Sequence, residues 1–221
     1  MDLKYNTVLF DFDGTVIDSG PGILKCARET IGEFGLPMPD ESILNRFIGP
    51  PLKRSFMDTF ETSPALSDEL VACYRKKYRE SEGIMDAYIY EGMEELLTTL
   101  NDAGATVAIA SAKQEPTVRE TLRRFDMLHY FKAVAGASPT VEYADKTDIM
   151  RDCLERLDVS PSDAVMIGDS GYDAHSSNEL GVDFCAVMWG YGFNTVEDLK
   201  KFRCRYIAED VPSLRRFLLV D

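Results

Sequence analysis

Short apolar runs recur along this chain, and stretches of helical spacing separate most of them. Thr7-Val8-Leu9-Phe10 is the first run and Thr106-Val107-Ala108-Ile109-Ala110 the second. Phe131–Ala135 is weaker, and Ala164–Gly168, Phe184–Val187 and Arg205–Ala208 complete the set. Short strands that are apolar at nearly every position, rather than at every second one, are buried on both faces, as in parallel sheets. Gly92–Gly104, Pro116–Phe125, Thr147–Leu157 and Asp173–Leu180 place apolar residues at helical intervals. This alternation predicts an α/β fold on a doubly wound, Rossmann-like parallel sheet. The charges of Glu197–Arg205 read as a solvated helix.

One interval breaks the rhythm. Between the first run and Gly92 no convincing strand is found. Ile23–Phe34, Asp40–Arg46, Pro51–Phe60 and Ser67–Glu82 read as helices, broken at Gly35-Leu36-Pro37, Gly49-Pro50-Pro51 and Ser63-Pro64. A structureless loop that long is out of place in a compact domain. The expectation is a catalytic core of residues 1–16 and 90–221, with an all-helical subdomain of residues 17–89 inserted into it.

The 221 residues carry 38 acids against 24 lysines and arginines, a formal charge of −14. That balance argues against nucleic acid or an anionic membrane as a partner, since both call for basic surfaces. An anionic substrate would need positive charge supplied locally, by a metal, a lysine or helix N-termini. No apolar run approaches the ~20 residues of a membrane span. The opening MDLKYNTVLF shows no charged leader followed by an apolar stretch, so no secretory signal is read there. Cys26, Cys73, Cys153, Cys185 and Cys204 are scattered, an odd number with no CxxC pair. They read as free thiols in a reducing cytoplasm, with Cys153 and Cys185 as core packing.

In open α/β sheets, ligands bind at the carboxyl ends of the strands. The residues that follow the runs are therefore the candidates. Asp11-Phe12-Asp13-Gly14-Thr15 follows the first, and Ser111-Ala112-Lys113 the second. Lys146 follows the third at some distance, at a helix start. Asp169-Ser170 follows the fourth, with Asp173 four residues on. Side chains two apart on extended backbone point the same way, so Asp11 and Asp13 would repel, with Asp169 adding to the strain. A shared cation relieves this, and an all-oxygen set of hard ligands suits Mg²⁺. Opposite charges 4 Å apart gain ~4 kcal/mol at an effective dielectric of 20, enough to keep two acids ionised together. Lys146 and Ser111 could then hold an anion against the metal. An EF-hand count from Asp11 fails, because its sixth place is Val16 and its twelfth Gly22. No GxxxxGK[ST] phosphate loop is present.

With these residues in view, the chain resembles the haloacid dehalogenase-like phosphohydrolases along essentially its whole length. Asp11-Phe12-Asp13-Gly14-Thr15 matches the family's DxDGT motif, Ser111 its second motif, Lys146 its third, and Gly168-Asp169-Ser170 through Asp173 its fourth. The helical insert is similar to a C1-type cap, and Phe47-Ile48-Gly49-Pro50-Pro51-Leu52 to cap segments of the phosphoglycolate-phosphatase-like branch. The resemblance implies that Asp11 attacks phosphorus and forms an aspartyl-phosphate, with Asp13 as general acid and then base. It implies a metal held by the Asp11 carboxylate, the Asp13 carbonyl and Asp169, with Asp173 ligating directly or through water. Ser111 and Lys146 would grip the phosphoryl group, with Gly14 and Thr15 beside them. An acid at Asp13 that begins the cycle protonated calls for carboxylate neighbours or burial. The partner implied is a small phosphorylated metabolite such as phosphoglycolate or a nucleoside monophosphate, and the chain acts as a monomer or homodimer. A sugar phosphomutase and a non-catalytic binding module on the same scaffold are the alternatives.

Departures and rivals belong beside that reading. Many relatives have Asn where Ala112 stands and Pro where Thr147 stands. Lys113 rivals Lys146 as the phosphate-gripping lysine. Lys53 and Arg54 could reach a second anionic group on a substrate, or line a solvated helix face. A phosphonate hydrolase would need a cap lysine as Schiff base, with Lys25 and Lys53 the ones available. His129 reads as a surface residue. His175 could border the site, and Trp189 and Tyr191 are expected to pack.

Overall fold

A computed structural model describes residues 2–80, 83–84, 86–138 and 145–220. The chain begins with β1 (Asp2–Leu3), β2 (Thr7–Phe10) and β3 (Ile17–Asp18). Four helices follow: α1 (Gly20–Glu33), α2 (Glu41–Leu44), α3 (Leu52–Phe60) and α4 (Pro64–Glu80). Then come β4 (Tyr88–Ile89), α5 (Met93–Asp102), β5 (Thr106–Gln114), α6 (Glu115–Arg124) and β6 (Ala133–Ala137). The remainder runs α7 (Lys146–Leu157), β7 (Ala164–Gly168), α8 (Gly171–Leu180), β8 (Asp183–Val187), β9 (Tyr206–Ala208), α9 (Val211–Leu218) and β10 (Leu219–Val220). Two compact units result, Met1–Ile17 with Ile89–Asp221, and Asp18–Tyr88.

The larger unit is built on a six-stranded sheet in the order β6-β5-β2-β7-β8-β9. Every ladder in it is parallel. β2 lies inside, with Phe10 opposite Ile109 on one side and Ile167 on the other. Alternate residues of a strand face opposite sides of a sheet. Leu9 and Met166 pack with Ile149, Met150, Cys153 and Ala174, from α7 and α8, in one apolar cluster. Val8, Phe10, Val165 and Ile167 face the other way and are equally buried. Both faces are therefore covered, which is why these strands are apolar at consecutive positions.

Several boundaries differ from the sequence reading. β5 does not stop at Ala110 but continues to Gln114, with a register shift against β6 between Ser111 and Gln114. Ser111 and Lys113 thus lie within a strand rather than after one. The Glu197–Arg205 helix does not form: a short 3₁₀ turn spans Val196–Leu199, and the next element is β9. The interval expected to hold no strand contains the two-residue β3 and β4, which pair with each other. The expected Asp40–Arg46 helix is cut to α2 followed by a 3₁₀ turn at Asn45–Phe47. Residues 81–82 of the expected Ser67–Glu82 helix lie outside the described residues.

The smaller unit holds α1 to α4. Phe47 and Phe56 meet edge to face at 5.0 Å, and Tyr74 stacks on Tyr78 at 5.8 Å. Ile31, Leu44 and Leu70 are also buried. Among the described residues, no helix is long and apolar enough to cross a membrane.

Candidate active site

The carboxyl ends of β2 and β7 are neighbours in the sheet, so the residues just beyond them meet. Asp11 donates its backbone N–H to the Ile167 carbonyl at 2.8 Å, which carries the pairing of the two strands one residue further. Asp11, Asp169 and Asp173 each offer an oxygen, and these oxygens lie within 4.8 Å of one another. All three residues are buried. Acids from separate chain segments, placed together on sequence grounds, are adjacent here.

α7 begins at Lys146, with Asp145 as N-cap accepting from the Thr147 N–H at 3.0 Å. The Lys146 Nζ reaches Asp11 Oδ1 at 2.6 Å and Asp173 Oδ1 at 2.8 Å. α8 begins with a capping box: Ser170 Oγ accepts from the Asp173 N–H, and the Ser170 N–H donates to Asp173 Oδ2 at 3.1 Å. The Ser170 hydroxyl also donates to Oδ2, at 2.6 Å. Helix capping and site construction are the same set of contacts here.

The loop after β8 supplies the rest. Tyr191 and Gly192 donate backbone N–H groups to Asp169 Oδ2 at 2.7 and 3.1 Å. The Trp189 indole Nε1 donates to the Thr15 carbonyl at 3.1 Å. Two glycines let the backbone close on Asp169. Gly14 has φ +82°, and a Cβ there would stand 2.5 Å from Asp169 Oδ2. A Cβ on Gly190 would stand 2.3 Å from the same oxygen and 2.5 Å from the Gly14 carbonyl.

One buried ammonium faces three buried carboxylates, which leaves two negative charges uncompensated. Burial pushes the Asp11 carboxyl up to about 8, against the pull of Lys146 and with the charges of Asp173 and Asp169 adding to it. Burial, and then the charge of Asp173, raises Asp169 to about 7 against its two N–H donors. Burial works against the Lys146 ammonium, but Asp11 and Asp173 outweigh it and hold its pKa well above that of an ordinary lysine. Two missing positive charges among oxygen ligands fit a divalent, hard cation.

Asp13 parts from the other acids. Its carboxylate pairs with the Lys113 Nζ at 2.8 Å. Burial, one of the two surroundings called for at Asp13, is present at 8% exposure, but the partner found is a cation. The two lysines that were rivals thus serve different acids. Ser111 is buried on β5, two residues past Ile109, and accepts from the Lys113 N–H at 3.3 Å. Thr15 is fully buried, and its hydroxyl has no hydrogen-bond partner among the described residues.

Other sequence candidates are engaged elsewhere. Lys53 is buried and pairs with Asp68 at 2.7 Å, and exposed Arg54 pairs with Asp58 at 3.3 Å. The Asp86 hydrogen bond raises the Lys25 ammonium above its ordinary pKa, the wrong direction for a Schiff-base lysine. His175 is exposed and lies 3.4 Å from Glu179. His129 packs on Tyr130, with ring centroids 4.0 Å apart. Burial pushes the Cys153 thiol up to about 12 and raises Cys185, so these behave as packing groups. Sequence reasoning missed the donors at Tyr191 and Gly192 and the Trp189 strut. The run Trp189-Gly190-Tyr191-Gly192, at the end of a parallel strand, was the signal that could have pointed to them.

A parallel sheet that brings acids able to hold a cation, and a lysine able to hold an anion, to one carboxyl edge defines a hydrolase-type site. Residues 8–187 match the haloacid dehalogenase-like hydrolase family, and the chain belongs to it. A 5'-nucleotidase of Pseudomonas aeruginosa is 32% identical over 216 residues, 98% of this chain and 96% of that protein. The tyrosine-protein kinase PtkA of Mycobacterium tuberculosis is 33% identical over 187 residues, 84% of this chain but only 62% of the kinase. The crystal structure of a predicted phosphatase from Clostridium acetobutylicum has a TM-score of 0.90 at 33% identity, covering 96% of this chain and 97% of that one. Two of these relatives are named for phosphate hydrolysis and the third for a kinase.

Proposed function

We propose that the protein is a Mg²⁺-dependent phosphatase that hydrolyses a small phosphate monoester through an aspartyl-phosphate on Asp11. The observation that carries the reading is the convergence of Asp11, Asp169 and Asp173 around the Lys146 ammonium at the edge of the sheet. Phosphoryl transfer asks mainly for positioning and charge neutralisation. Asp11, Asp169 and the Asp13 carbonyl would hold the ion, with Asp173 ligating through water or directly. When bound, the ion would neutralise the phosphoryl oxygens.

The chain's own groups divide the remaining work. Asp11 forms the bond to phosphorus, a route open to carboxylates. Lys146 grips a phosphoryl oxygen and is itself held in place by Asp173. Ser111 donates a hydroxyl, and the free Thr15 hydroxyl and the Gly14 backbone add further contacts. Asp13 protonates the leaving oxygen and then takes a proton from the attacking water. Among small esters, a nucleoside monophosphate is supported by the identity with the Pseudomonas 5'-nucleotidase; phosphoglycolate stands beside it. The helical unit would serve as the cap that the family resemblance implies, and Arg54, an exposed cation in it, would meet a second anionic group. Five free thiols suit a cytoplasmic setting.

Transfer from Asp11 to an acceptor hydroxyl instead of water is a second reading, favoured by the identity with PtkA. Phosphate release from a panel of phosphorylated metabolites, with Mg²⁺ and no acceptor, separates the two. Asp11→Asn should abolish release while the thermal transition stays in place. Retained turnover in that variant would refute the nucleophile assignment.

A further inference from the structure

We propose that Lys113 is a positioning residue for Asp13: it fixes the carboxyl that serves the leaving group, and does not act as a second grip on phosphate. The inference rests on the phosphatase reading above and assigns a role that the reading leaves open.

Three observations carry it. The Lys113 Nζ lies 2.8 Å from Asp13 Oδ1, and the two side chains are only 12% and 10% exposed. A pair so little solvated holds its geometry far better than a surface pair, and a buried carboxylate that loses its partner is strongly disfavoured. Second, Lys146 is already held by Asp11 and Asp173 at 2.6 and 2.8 Å. The site therefore allots one lysine to the attacking acid and another to the proton-transferring acid. Third, the backbone is shaped to deliver Lys113. The β5 register shifts against β6 between Ser111 and Gln114, and such irregularities re-aim side chains beside active sites. The facing residue on β6 is Gly136, where a Cβ would stand 2.6 Å from the Lys113 carbonyl and 2.7 Å from the Glu115 nitrogen. Only a residue without a side chain lets this stretch of β5 come so close.

The proton balance shows where placement matters. In the first half-reaction the Asp11 oxygen bonds to phosphorus as the bond from phosphorus to the ester oxygen breaks. The ester oxygen keeps the electron pair and takes the proton of the Asp13 carboxyl, which becomes a carboxylate beside the Lys113 ammonium. In the second half, water oxygen bonds to phosphorus, its proton passes to Asp13, and the Asp11 carboxylate is released. Both transfers need the Asp13 oxygen within hydrogen-bond reach of a reacting oxygen.

Leaving-group dependence tests this. p-Nitrophenolate departs without a proton, whereas an alkoxide needs one. In the first turnover, followed by rapid mixing, Lys113→Met should slow alcohol release from an alkyl phosphate by ~30-fold and the p-nitrophenolate burst by less than ~3-fold, with the half-saturating concentrations of both within ~2-fold, since general acid–base steps carry ~10²–10⁴-fold. The second half, which needs Asp13 whatever the ester, is left out of that comparison. Lys113→Arg should recover part of the loss. In an Asp13→Asn background, where the carboxylate that Lys113 pairs with is gone, adding Lys113→Met should cost less than ~2-fold more, as for residues acting as a unit. The double variant keeps the test decisive if Lys113→Met alone folds poorly. Equal losses in the first turnover of both esters, a raised half-saturating concentration on both, or additive losses in the Asp13→Asn background would overturn the proposal in favour of a phosphate grip. Wild-type protein that hydrolyses neither ester would overturn the phosphatase reading and this inference together.

Discussion

Titrating the protein with Mg²⁺ across a range of pH probes the charge balance of the site directly. Burial holds Asp11 at about 8 and Asp169 at about 7 in the ion-free protein. A carboxyl must be ionised to ligate, so an ion arriving below those values displaces protons. Affinity should therefore rise with pH, by up to ~10-fold per pH unit for each proton displaced, and level off above pH ~8. Between about pH 5.5 and 6.5 both groups hold protons, and the rise approaches ~100-fold per unit. The same linkage acts on folding. Asp169 ionises near 3.8 when unfolded and at about 7 when folded, so the native state binds its proton more tightly. Stability without metal should fall as pH rises from ~4 to ~7, and that gap is worth roughly 4 kcal/mol. Mg²⁺ should offset the loss above pH ~7. Calorimetry in two buffers of different ionisation enthalpy counts the protons released, and urea unfolding with and without chelator reads the stability. An affinity that stays level between about pH 5.5 and 8, with no protons released, would refute the reasoning, because the acids would then be ionised already.

Two substitutions extend the predictions. Lys146→Met removes the ammonium from between Asp11 and Asp173 and should cost ~3–5 kcal/mol near pH 8, as broken buried pairs do, along with turnover. The cost should shrink toward pH ~5.5, where Asp11 takes up a proton, and equal urea midpoint shifts at both pH values would contradict this. Gly190→Ala places a Cβ 2.3 Å from Asp169 Oδ2 and 2.5 Å from the Gly14 carbonyl. By displacing Asp169 it should weaken Mn²⁺ binding by ~10–100-fold, the range for groups that orient ligands. Unchanged binding, read by electron paramagnetic resonance, would mean that the loop yields instead.

Much of this architecture can be read from the order of residues alone. A run such as Val8-Leu9-Phe10 is apolar at consecutive positions, and only a strand covered on both faces accommodates that. Asp11 and Asp169 immediately follow such runs, so once the sheet is parallel their meeting at one edge is a matter of topology. Other elements left no such trace. β1 and β10 are two residues each and pair across the whole length of the chain, as Asp2 with Val220 and Leu3 with Leu219. β5 runs on through Ser111 and Lys113 because β6 lies beside it, not because of any propensity of its own.

The acids and the lysines of the site were thus visible in the amino-acid order, but their partnership was not. Two lysines follow the apolar runs, and nothing in their spacing says that Lys146 goes to Asp11 and Asp173 while Lys113 goes to Asp13. Nor could the order show that Tyr191 and Gly192 serve Asp169, since they act through backbone N–H groups that nearly every residue type possesses. Hydrophobic pattern is written locally, one residue after another, and survives being read as a string. Charge pairing depends on distances of a few ångströms between segments far apart in the chain, and those distances exist only once the sheet has closed its ladders.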